Sequence, residues 1–117
     1  MALKPMELKE AFPAALLARL TPFEGGFHAH RLAAEGAEVL FARYEAGEHI
    51  AAHEHPTENW GVVLTGALEL TCAGETRRYA AGSWYHLAPG QTHEARFPEA
   101  TTMLELWFYA ERGEGTG

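Results

Sequence analysis

Residues 47–66 read Gly47-Glu48-His49-Ile50-Ala51-Ala52-His53-Glu54-His55-Pro56-Thr57-Glu58-Asn59-Trp60-Gly61-Val62-Val63-Leu64-Thr65-Gly66. His53 and His55 stand two residues apart in a segment that reads as a strand, so both side chains leave the same face. In a closed sheet that face is the interior. Two neutral imidazoles meeting there supply half of a first-row transition-metal site. An isolated H-x-H pair is more often two surface histidines, and only the residues downstream reverse that preference.

Those residues carry a family pattern. The stretch resembles the first motif of the cupin family, G-x5-H-x-H-x3-E-x6-G, with Asn59 where the family usually has Glu or Gln. Residues 82–93, Gly82-Ser83-Trp84-Tyr85-His86-Leu87-Ala88-Pro89-Gly90-Gln91-Thr92-His93, resemble the second motif, G-x5-P-x-G-x2-H. Ala88 occupies the proline position and Pro89 follows it; the asparagine common after this motif is absent, Arg96 being nearest its place. The resemblance spans roughly residues 37–109. It implies an all-β fold, a double-stranded β-helix or jelly-roll barrel, with His93 joining His53 and His55 at one divalent transition metal. A Pro89-Gly90 turn suits that role, since it would deliver His93 to the start of the next strand. For reaction type the resemblance implies little, because cupins include dioxygenases, isomerases, decarboxylases and non-catalytic binders.

Strand signals continue outward in both directions. Candidate strands are 27–33, 38–44, 50–54, 59–65, 67–72, 76–80, 83–87, 92–97 and 101–109, separated by breaks such as Glu35-Gly36, Gly66, Gly74-Glu75 and Pro89-Gly90. Many short strands at this spacing predict a barrel or sandwich. Residues 1–24 differ: Leu3, Met6, Leu8, Phe12, Leu16, Leu17 and Leu20 recur at helical intervals, interrupted by Pro13. They are expected to form a short helical arm outside a barrel of residues 25–112, with residues 113–117 as a frayed tail.

Beyond the three histidines, the fourth metal position has several occupants open to it. In a regular strand Asn59 shares the face of His53 and His55, whereas Glu58 points away. A bulge at Pro56-Thr57 would turn Glu58 inward instead, and a three-histidine site with neither is the remaining arrangement. With Asn59 the ligands are all neutral, so the ion keeps its full charge and favours an anionic ligand. His49 shares parity with His53 and is a candidate substrate-binding or ligand-orienting residue; a rim position is as good a reading. His49 and Glu58 are the candidate proton carriers. His86 reads as a core or interface histidine, and His28 and His30 as exposed or interface residues. Trp60, Trp84, Tyr85, Trp107, Phe108 and Tyr109 suit a pocket wall, but aromatic residues in strands are more often core.

Composition limits the partners. The formal charge is −7 in 117 residues, without the Lys/Arg clusters that nucleic-acid backbones need. One cysteine, Cys72, excludes an internal disulfide and reads as a small buried apolar residue. No apolar run approaches the roughly 20 residues that span a bilayer, and no export signal is evident, so a cytoplasmic location is expected. The apolar side chains of the arm predict a homodimer, since a short helix needs something to pack on. The leading expectation is a metal-binding cupin acting on a small organic molecule, anionic ones included, by dioxygenase-like or isomerase-like chemistry. The metal is one of Zn, Fe, Ni, Mn, Co or Cu. The alternatives are a ligand-binding or sensory cupin without turnover, and a structural dimer with a vestigial site.

Overall fold

The computed structural model describes residue 12 and residues 14–23 and 28–109. Within them the chain runs α1 (Ala14–Leu17), β1 (Thr21–Pro22), β2 (His28–Ala34), β3 (Ala37–Tyr44), β4 (His49–His53), β5 (Glu58–Thr65), β6 (Ala67–Cys72), β7 (Glu75–Ala80), β8 (Trp84–Leu87), β9 (His93–Arg96) and β10 (Thr101–Phe108). Ten antiparallel strands form two sheets, ordered β1-β2-β3-β10-β5-β8 and β4-β9-β6-β7. This is the expected jelly-roll arrangement, and each expected strand is present within one or two residues. Of the expected arm, α1 is a single helical turn and Thr21–Pro22 pairs with β2. Leu3, Met6 and Leu8 of the arm, and the tail at 113–117, lie outside the described residues.

The strands alternate as a half-buried sheet requires. Leu40, Ala42 and Tyr44 on β3, Val63 on β5, Tyr85 and Leu87 on β8 and Met103 on β10 meet Leu68, Leu70 and Ala95 from the smaller sheet and Phe97 just past the end of β9. Tyr44 stacks flat on Phe97 with ring centroids 3.9 Å apart, tying the two sheets together. The outer face of the large sheet is apolar too. Cross-strand partners share a face, so Trp84, Val62, Leu104 and Phe41 form one row across β8, β5, β10 and β3. His86, Trp60, Leu106, Val39 and Leu32 form a second. Phe12 packs edge-on to Phe41 and is buried there, while Trp84 stays 55% exposed.

Gly66 explains one fixed point of the first motif. It turns β5 into β6 with φ at +88°, and a Cβ there would sit 2.3 Å from the carbonyl oxygen of Ala100. Thr101 locks the same corner, its hydroxyl accepting the Ala67 N–H at 3.1 Å. Gly66→Ala therefore combines left-handed strain with a backbone clash. We expect it to lower stability by about 2 kcal/mol or more in urea unfolding; a loss under about 0.5 kcal/mol would contradict this account of the turn.

Candidate metal centre

His53 closes β4, and an irregularity in the β4–β9 ladder between Ile50 and His53 precedes it. That break resets the alternation. Ile50 packs against the core, whereas the His49 ring borders the cavity and pairs with the Glu94 carboxylate of β9. His55 lies two residues beyond the end of β4, so the H-x-H pair spans a strand end rather than one regular strand. Its carbonyl accepts the N–H of Gly90 at 2.8 Å, which fastens the first motif to the turn of the second. Gln91 closes that turn by donating its N–H to the Ala88 carbonyl and accepting the Ala88 N–H on its side chain. The chain then enters β9 at His93, the cross-strand partner of both His53 and Cys72.

The three imidazoles converge. Each of His53, His55 and His93 offers a nitrogen, and these atoms all lie within 4.8 Å of one another. Nδ1 of His53 lies 2.8 Å from the Ala51 carbonyl and Nδ1 of His93 lies 2.9 Å from the Gln91 carbonyl. A carbonyl oxygen only accepts, so both Nδ1 atoms carry the proton and both Nε2 atoms present lone pairs. Nε2 of His55 stands 3.0 Å from Nε2 of His53. Without an ion the His55 nitrogen must donate across that gap, because two facing lone pairs repel. An ion at imidazole bond lengths of about 2.0–2.1 Å would hold such nitrogens roughly 3 Å apart. The donor set therefore fits a transition metal.

Electrostatics favours the same occupant. Burial, then the neighbouring His53 and His93, lowers the pKa of His55 from 6.5 to about 4. Burial is also the main cause of a lowered pKa at His93. Near neutral pH these rings are uncharged and able to coordinate. They open onto a cavity of about 720 Å³ between the sheets, within the size range of small-molecule sites.

Other expected site residues separate cleanly. Asn59 is buried, lines the cavity and accepts the Thr57 hydroxyl on Oδ1 at 2.5 Å. Glu58 does not turn inward. β5 keeps register with β8 and β10 from its first residues, so Glu58 lies on the outer face, bonded to His86 at 2.8 Å and to Trp60 Nε1 at 3.1 Å. His86 packs at a tilt against Trp60 on that exposed face, His28 is exposed and Cys72 is half-buried against the core. Trp107 and Tyr85 line the cavity, Trp107 packing on His55 with centroids 4.7 Å apart.

Sequence reasoning missed Glu105 and Tyr44. Glu105 is a fully buried carboxyl in the cavity wall, accepting the Tyr44 hydroxyl at 2.5 Å and Trp107 Nε1 at 3.3 Å. Burial raises its pKa, although both donors pull the other way. Tyr44 is held in its phenol form, its pKa raised first by burial and then by Glu105. The available signal was a lone carboxylate inside the apolar run Thr101–Phe108. Because both faces of β10 are apolar, alternation could not assign it a side.

A family model described as Cupin domain matches residues 40–109, and the chain belongs to that family. No curated protein matches the chain significantly. Among solved structures it is similar to a conserved protein of unknown function from Streptococcus pyogenes, with TM-score 0.69 and 20% identity over 96% of this chain and 92% of that one. KdgF from Halomonas sp. aligns with TM-score 0.68 and 20% identity over 81% and 89% of the two chains. A cupin superfamily protein from Desulfitobacterium hafniense aligns with TM-score 0.69 and 14% identity over 94% and 100%. At these identities the likeness is one of fold.

The lowered pKa of His55 makes metal-free stability depend on pH. Folded His55 titrates near 4, whereas in the unfolded chain it returns to about 6.5. Between those values the unfolded state takes up the proton first, so stability present above about pH 6.5 is lost as the pH falls toward 4. Thermal unfolding of chelator-stripped protein should show its midpoint falling across this window, with His55→Gln flattening that part of the profile. An unchanged profile in the variant would assign the dependence to other groups.

Proposed function

We propose that this cupin-domain protein holds one divalent transition metal through His53, His55 and His93 and uses it to bind a small organic molecule inside the barrel. The observation that carries the reading is the convergence of three imidazole nitrogens, two with lone pairs aimed by carbonyl-fixed tautomers. Asn59 is proposed as the neutral fourth group, steadied by Thr57. The metal would be a Lewis acid with positions open to a ligand. The acidic groups bordering the cavity are already engaged, Glu48 with the Glu45 N–H and Glu105 with Tyr44 and Trp107. That favours a second reading, in which the ligand is held without turnover.

Plasma mass spectrometry on untagged protein should find close to one metal per chain, lost in both His53→Ala and His93→Ala. A parent protein that is empty and fails to take up added Fe, Mn, Ni or Zn would contradict the proposal. Asn59→Ala should still bind one metal but with about 10- to 100-fold lower affinity, as for partners that support a metal site; unchanged affinity would remove Asn59 from the centre.

We also propose a homodimer built on the outer face of the large sheet. Trp84, Trp60 and Leu64 are exposed there beside the two rows, and exposed large apolar side chains grouped on one face suit an interface. The described residues contain no helix long and apolar enough to cross a membrane. Light scattering at micromolar concentration should give twice the chain mass of 12.9 kDa. A monomer mass would contradict this assembly.

A further inference from the structure

The cavity around the three histidines has an unusual charge inventory. Among the described residues that line it there is no lysine or arginine. Its ionisable side chains other than histidine are two carboxyls, Glu48 and Glu105, and two phenols, Tyr44 and Tyr85. The nearby guanidinium of Arg96 is exposed and turned to Glu94 at 3.4 Å. The lining also includes the aliphatic side chains of Ile50, Leu68, Leu70, Leu87 and Met103.

Each feature excludes a class of ligand. A phosphoryl group carries close to two negative charges and is ordinarily matched by arginine, lysine or a row of backbone N–H groups. Here nothing in the described wall would neutralise it beyond the metal itself. A sugar or other polyol spreads hydroxyls over its whole surface, and burying them against leucine and methionine leaves polar groups unpaired at a cost. An apolar body loses nothing against the same wall and gains about 25 cal/mol for each Å² removed from water. Positive charge is confined to one point, where a dication among neutral imidazoles would attract one compact anionic, chelating end.

We propose that the site selects a small monoanionic chelator with an apolar or aromatic body, a carboxylate flanked by an oxo or hydroxyl oxygen, over phosphorylated and polyhydroxylated compounds. This rests on the metal reading above. The carboxylate and its neighbouring oxygen would chelate the ion held by His53, His55 and His93, and the body would lie against the apolar part of the lining, where Ile50 is more open than Leu68, Leu70, Leu87 or Met103. Glu105 reinforces the selection: its carboxyl is buried and already accepts from Tyr44 and Trp107, which leaves it poorly placed to take a ligand hydroxyl. Metal-free protein, left with two carboxyls and no cation in the described wall, repels such an anion.

Isothermal calorimetry on the full chain tests this, with metal content measured on the same zinc-loaded sample. The probes are phenylglyoxylate, pyruvate and glucose 6-phosphate. Phenylglyoxylate should bind at least about tenfold more tightly than pyruvate, the ring supplying the difference by burial. Glucose 6-phosphate should bind more weakly than either, and chelator-stripped protein should bind none of the three. Zinc-loaded protein that prefers glucose 6-phosphate, or holds phenylglyoxylate no better than pyruvate, overturns the ligand assignment and leaves the metal centre standing. Protein that takes up no zinc overturns both.

Discussion

Two hydrogen bonds from ring nitrogens to main-chain carbonyls govern the rest of the site. Ala51 and Gln91 each receive an Nδ1 proton, from His53 and His93 respectively. Once those protons are placed, each Nε2 has only a lone pair to offer, and it offers it to the cavity. Nε2 of His53 faces Nε2 of His55 at 3.0 Å, a gap that a neutral His55 fills by donating its own N–H or that a cation could occupy. Burial lowers the pKa of His55 to about 4, so near neutral pH the cluster is uncharged and able to coordinate. The donor set thus fits a cation.

The larger architecture follows from keeping that cluster rigid. His55 stands outside regular strand, and its position is fixed by the Gly90 N–H from the opposing turn. His93 is paired with strands on both sides. Below them Tyr44 stacks on Phe97 and bonds Glu105, so a single aromatic residue joins the two sheets and satisfies the buried carboxyl of the cavity. The cavity floor is thus rigid apolar packing, and the polar chemistry is gathered where the two motifs meet.

Much of this was legible in the residues. The strands could be read because short alternating runs were punctuated by glycine and proline, and Gly66 marked a turn that only glycine fills. The parity of Asn59 and Glu58 was legible as well, because β5 is regular from its first residue. Strand parity is a weaker guide around His53, where the strand is irregular. The irregularity before His53 moved His49 toward Glu94, and His55 reached the cluster from beyond the strand end. Glu105 was hidden for a different reason. β10 is apolar on both faces, one lining the barrel and the other carrying Leu104 and Leu106 in the outer rows, so its pattern pointed neither way.

The central claim is that these imidazoles coordinate a metal, and X-ray absorption fine structure of zinc-loaded protein tests it most directly. The account predicts a first shell dominated by nitrogen at about 2.0–2.1 Å, with outer-shell scattering from three imidazole rings. A shell of oxygens alone, without the imidazole signature, would contradict it.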